Sequence, residues 1–152
     1  MALIAGPKGN AMSDDRVAGA CEAARAAGAP VPPARIVRGD WGLESGRRAM
    51  EQLLGGKPEA VFAANDMMAM GAMAAIHSAG LRIPEDVAVV GYDDVPPARF
   101  CRPTLSSIRQ DPEVIGRCAV ELVLFRLGCR AKQSATPPLQ PALVVRESSR
   151  SV

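Results

Sequence analysis

The chemistry this sequence offers sits in polar residues that come directly after short apolar runs. Leu3-Ile4-Ala5 is followed by Gly6-Pro7 and a loop leading to Arg16, and Arg35-Ile36-Val37 is followed by Asp40-Trp41. Ala60-Val61-Phe62-Ala63-Ala64 runs into Asn65-Asp66, and Val87-Ala88-Val89-Val90 into Gly91-Tyr92-Asp93-Asp94. A guanidinium, an amide and carboxylates pair with hydroxyl groups, while an indole face packs on the C–H face of a sugar ring. The set therefore suits a sugar. Each member also has a plainer role. Arg16 is expected in the first turn of a helix, where a cation opposes the dipole; a solvated arginine tolerates that, but the misfit favours a ligand role. Asn65 serves equally as an N-cap, Asp93 as a turn residue and Trp41 as a rim or core aromatic.

Other chemistries find less support. Gly6-Pro7-Lys8-Gly9 resembles a phosphate loop only superficially, because neither G-x-x-x-x-G-K-[ST] nor G-x-G-x-x-G occurs, so no nucleotide cofactor is expected. No G-x-S-x-G elbow or ordered Ser, His and Asp set supports a hydrolase, so the reading is a non-enzymatic one. His77, the lone histidine, lies toward the end of a helix and is expected at the surface. Cys21, Cys101, Cys118 and Cys129 form no C-x-x-C pair, and Met67, Met68, Met70 and Met73 read as packing or interface, so no metal is expected.

These polar groups need a scaffold that brings the ends of successive runs together. Apolar runs alternate with helical patterns, which predicts an α/β fold, a parallel sheet flanked by helices. Such sheets bind ligands beyond the carboxyl ends of their strands. Ser13 is expected to cap a helix over 14–27, Ser45 or Gly46 to open one through Leu54, and Asn65 to cap one ending near Ala79. Asp111-Pro112 opens an amphipathic helix with Val114, Ile115, Cys118, Leu122 and Phe125 at helical spacing. A loop over 129–138 precedes a last strand, Ala142-Leu143-Val144-Val145.

A chain of 152 residues fits one domain. Its 48% hydrophobic and 22% charged content is ordinary for a globular protein, and with 3% aromatics the core must rest on aliphatic residues and methionine. A net charge of +2, with Arg47-Arg48 the one adjacent basic pair, is too small for nucleic-acid binding by field alone. The N-terminus carries no long apolar run, so neither a signal peptide nor a membrane partner is expected, and four free thiols fit a reducing cytoplasm.

Taken together, ordered pieces of the chain resemble the sensor domain of LacI/GalR-family transcriptional regulators. They are Ala5-Gly6-Pro7 with Arg16-x-x-Gly19, Gly39-Asp40-Trp41 with Ser45-Gly46, and Ala64-Asn65-Asp66 with Met68-Ala69-x-Gly71-Ala72. Further on come Gly80-Leu81-x-Ile83-Pro84-x-Asp86-Val87 through Asp93-Asp94, Pro103-x-Leu105-Ser106-Ser107-Ile108-x-Gln110, Gly116-x-x-Ala119-Val120 and Leu143 to Ser148. Each piece is weak alone, but their order and spacing across almost the whole chain are specific. The resemblance implies one lobe of a periplasmic-binding-protein-like type I fold, with residues 1–108 and 139–150 in the C-terminal sensor lobe. It implies that the helix within 109–128 belongs to the other lobe. It places Arg16, Trp41, Asn65, Asp93 and Gln110 against a small-molecule effector, with Asp40 beside them.

The Gly-Asp-Trp form is similar to that of the lactose-responsive member, which favours a sugar over a purine. Helix 66–79 and segment 95–102 are implied as a homodimer interface. Operator DNA is a partner only through a helix-turn-helix that these residues lack, so the expectation is a sensor cut off from its DNA-binding head. The rival readings are a fragment of a periplasmic-type sugar-binding protein and a small α/β enzyme.

Overall fold

The computed structural model describes residues 1–129 and 140–149. Six short strands form one sheet: β1 (Ala2–Ala5), β2 (Ile36–Arg38), β3 (Ala60–Ala63), β4 (Ala88–Asp93), β5 (Ser106–Arg109) and β6 (Ala142–Val144). Their order across the sheet is β2-β1-β3-β4-β5-β6. The first five run parallel, as the alternation of apolar runs and helices predicts, and β6 pairs antiparallel with β5 at the edge. The chain reverses its direction of travel across the sheet between β1 and β3, which opens a crevice at their carboxyl ends.

Four helices connect and flank the strands: α1 (Ala11–Ala26), α2 (Leu43–Leu54), α3 (Asp66–Ser78) and α4 (Pro112–Arg126). The core lies between α2, α3 and one face of the sheet, where Ala2, Ile4, Val61, Ala63 and Val89 meet Met50, Leu53, Met68, Met73 and Ile76. Each such Val, Leu, Ile or Met side chain contributes about 1.5–3 kcal/mol by leaving water, and each alanine methyl about 1 kcal/mol or less. Met68 and Met73 thus serve packing, whereas Met67 is exposed. On the outer side of α2, Arg47 pairs with Glu44 and Glu51, and Arg48 with Glu44. The two helices cross with backbones nearly touching. A Cβ at Gly71 would lie 1.9 Å from the Leu43 carbonyl oxygen, and one at Gly46 would lie 2.4 Å from Met68 Cα.

Two helix starts differ from expectation. Asn10, not Ser13, caps α1, its side-chain oxygen accepting the Ser13 N–H at 3.1 Å. Arg16 therefore sits in the second turn, so the dipole misfit that favoured a ligand role for it loses force, and that role rests on its contacts instead. α2 begins at Leu43, ahead of Ser45, with Gly42 as its cap. Asn65 and Asp111 cap α3 and α4 as expected, accepting from Met68 N–H and Val114 N–H. The loop expected over 129–138 lies, apart from exposed Cys129, outside the described residues.

α1 covers the opposite sheet face over β1. Its Gly19 and Ala20 border a groove of about 440 Å³ floored by Phe62, Tyr92 and Ile108. α4 buries none of its residues; Val123 is 54% and the following Leu127 71% exposed. No helix among the described residues is long and apolar enough to cross a membrane.

Candidate functional site

Parallel pairing gathers the ends of β1 through β5 along one rim, and four of the residues picked out from sequence meet there. Arg16 reaches over from α1. Its Nη1 donates to the Ala64 carbonyl at 2.6 Å, and its Nη2 lies 3.5 Å from Asp93 Oδ1. The guanidinium stacks on Tyr92 at 3.8 Å from the ring centroid and lies 5.9 Å from that of Trp41. With its side chain 13% exposed, Arg16 is held on several sides and still lines the groove over Phe62, Tyr92 and Ile108.

Trp41 has φ +73, a left-handed conformation that is uncommon for a bulky residue. Two contacts hold it there. Asn65 Nδ2 donates to its carbonyl oxygen at 3.0 Å, and the indole packs against Gly6, where a Cβ would sit 2.4 Å from the ring. Asn65 Oδ1 simultaneously accepts the Met68 N–H at 2.9 Å. The choice between cap and site residue dissolves, because one amide starts α3 and anchors the tryptophan loop.

Asp93 ends β4, half-buried. Burial pushes its carboxyl above the usual aspartate range, and the neighbouring Arg16 only partly offsets this. A 3.5 Å separation is a weak pairing, so both groups keep capacity for a third partner. Gln110 stands beyond β5 and lines, with Asp93, Asp94, Arg99 and Arg109, a shallow cavity of about 420 Å³. Asp40 turns its carboxylate to its own loop, accepting the Gly42 N–H at 2.9 Å. Its pKa is lowered, first through Ser45 and then through that backbone bond. Asp40 therefore shapes the Trp41 loop, and its carboxylate is directed there and not at the Arg16–Asp93 cluster. His77 is exposed toward the end of α3, opposite to the helix end that meets the rim. A larger depression of about 520 Å³, between Leu54, Lys57, Leu81 and Val87, lies at the other end of the strands and holds none of these groups.

Sequence reasoning missed Tyr92, although strand alternation from Phe62 and Val90 places it on the α1 face beneath Arg16. It also missed Asp94, buried at 8% and gripped by Arg109 and Arg146. Those arginines are distant in sequence, and no local pattern announces their convergence.

The periplasmic binding protein-like domain family matches residues 1–149. The HTH-type transcriptional repressor PurR of Klebsiella pneumoniae is 39% identical over 148 residues, which is 96% of this chain but 43% of the repressor. The chain thus spans less than half the length of that relative. Among solved structures, the transcriptional regulator CelR in complex with cellobiose superposes with a TM-score of 0.88 at 37% identity, covering 97% of this chain and 46% of CelR. The lac repressor dimer bound to operator and an anti-inducer gives 0.85 at 34%, covering 99% and 52%. A match over residues 1–149, with structural superposition over 97–99% of the chain, leaves one conclusion: the chain belongs to the periplasmic binding protein-like family, in the form found in the sensor domains of LacI-family transcriptional regulators.

Proposed function

We propose that this chain is the effector-binding lobe of a LacI/GalR-type repressor and that its effector is a sugar. The observation that carries this reading is the Arg16–Asp93 pair set beside Trp41 and Asn65 at the carboxyl ends of β1 to β4. The weak 3.5 Å ion pair presents donors and an acceptor of balanced charge, which vicinal hydroxyls satisfy without leaving a charge uncompensated. Gln110 contributes a further amide from β5. In this reading α4 belongs to the second lobe, which explains why it buries none of its residues here. Helix 66–79 and segment 95–102 form a homodimer contact. Operator DNA is contacted by a helix-turn-helix outside these residues, and effector binding shifts the equilibrium between lobe arrangements.

The similarity to PurR supports a second effector class, a purine, which would stack its flat face on Trp41 and Arg16. Trp41 is the sole tryptophan, so its emission reports on the site. Titration with cellobiose, lactose, hypoxanthine and guanine separates the classes. Saturable quenching by a disaccharide alone supports the sugar; saturation by a purine base alone replaces it.

A further inference from the structure

The turn that ends β4 carries two adjacent carboxylates in different surroundings. The Asp93 side chain is 37% exposed and faces Arg16, whereas that of Asp94 is 1% exposed. Three cations converge on Asp94. Arg109 Nε donates to Oδ2 at 2.7 Å, Arg146 Nη2 donates to Oδ1 at 2.5 Å, and Arg99 Nη2 lies 3.8 Å from Oδ2. They come from β5, from the segment after β6 and from the 3-10 turn at Pro96–Arg99. Burial pushes the Asp94 carboxyl up, but Arg146 and Arg109 outweigh it and hold the group below the usual range.

The backbone of this turn is strained. Asp93 has φ +106 and Asp94 φ +54, conformations that residues with a Cβ keep only where the surroundings impose them. Here they do. The Asp94 N–H donates to Ser107 Oγ at 3.0 Å, the Ser107 hydroxyl donates to Asp66 Oδ1 at 2.5 Å, and the Val95 N–H donates to Asp66 Oδ2 at 2.8 Å. Asp93 and Arg109 are register partners across β4 and β5, so the same clamp reaches the strand end that carries Gln110.

We propose that Asp94 is a positioning residue for the effector site: gripped by Arg109 and Arg146, it holds the left-handed 93–94 turn that aims Asp93 at Arg16. Its bearing on effector recognition rests on the site proposed above, but the Asp93–Arg16 geometry is measurable with no effector present. The charged groups around Asp93 are Arg16 from α1, Asp66 from α3, and Asp94 and Arg109 from the strand ends. Removing the Asp94 charge, or freeing the arginines it neutralises, makes Asp93 easier to ionise. Losing Arg16 makes it harder. The two roles therefore have opposite signs.

The test is a carbon-13 carboxyl titration of Asp93 in the full 152-residue chain and in Asp94→Asn. The expected result is a rise of about one pH unit in the Asp93 pKa while cooperative melting is retained, since an adjacent arginine lowers a carboxyl by about that much or more. In an Arg16→Gln background the same substitution should produce no rise. Should Asp94→Asn fail to fold, Arg109→Gln removes one half-exposed partner and leaves Arg146 in place; because it also removes a cation near Asp93, the expected result is a rise that disappears in the Arg16→Gln background, and a rise that persists there overturns the proposal. An Asp93 pKa that stays put or falls in the folded variants overturns the proposal and leaves Asp94 a fold element only.

Discussion

Replacing Asn65 by alanine removes two hydrogen bonds with separable consequences. The Met68 N–H loses its cap, which costs about 1 kcal/mol. The Trp41 carbonyl loses its donor, which costs about another 1 kcal/mol in a partly buried setting. For a chain of this size, the combined loss of about 2 kcal/mol lowers Tm by roughly 4–8 °C. Asn65→Asp divides the two. Its carboxylate still caps α3, with a gain of about 0.3–1 kcal/mol from the helix dipole, but it has no proton for the Trp41 carbonyl. Thermal melts followed by circular dichroism should therefore show a large drop for alanine and a small one for aspartate. Trp41 emission should shift in both variants, because the loop loses its anchor in both. Equal destabilisation by the two substitutions, or emission unchanged in both, would refute the division of labour assigned to this amide.

Gly71→Ala drives a methyl into the Leu43 carbonyl at the α2–α3 crossing and should cost at least about 3 kcal/mol, read as a lower urea midpoint. Leu43→Ala, which leaves that backbone contact alone, should cost much less. Asp94 has a folded pKa below its unfolded value, so its stabilisation is present above pH near 4 and is lost as pH falls through the folded pKa. Urea melts between pH 2 and 6 should show a shallower acid loss for Asp94→Asn than for the parent. In a chimera carrying residues 1–152 on the head and first lobe of a LacI-family regulator, Asp93→Ala and Arg16→Ala should weaken effector response roughly ten- to a hundredfold and leave operator binding intact. His77→Ala in that chimera should leave the effector affinity unchanged, because His77 lies at the far end of α3 from the rim.

Strands β1, β3 and β4 were legible because they are apolar on both faces and bounded by glycine, proline or asparagine. β6 was legible as a strand, but its antiparallel direction depends on where the chain returns after α4, which no local pattern encodes. The α1 start was misread because Asn10 and Ser13 are both competent caps, and tertiary placement of the loop after β1 decides between them. Trp41, Asn65 and Asp93 stood out because each lies in the polar stretch where an apolar run ends, and Arg16 because the loop after β1 leads into its helix. Gln110 did not: it comes after a run broken by two serines, and only the family resemblance drew attention to it. Tyr92 required strand alternation to be counted two residues past the apparent end of the run at Val90. The Asp94 cluster draws on positions 66, 99, 107, 109 and 146, a juxtaposition only the folded sheet creates.

Because α4 buries none of its residues, its helix is thermodynamically a passenger. A free helix of 15 residues is marginal in water, and α4, with Val114, Cys118, Glu121 and Phe125 only partly buried, gains less from packing than α2 or α3. Native-state hydrogen exchange on this chain should divide it into two stability classes. The amides of β1, β3 and α3 should open only with the whole sheet, while those of α4 should exchange at rates near those of a peptide. A thermal melt of this chain measures the sheet and α2–α3 core alone. Sequence changes on the exposed side of α4 should weigh little in it, and their effects emerge when something covers that helix.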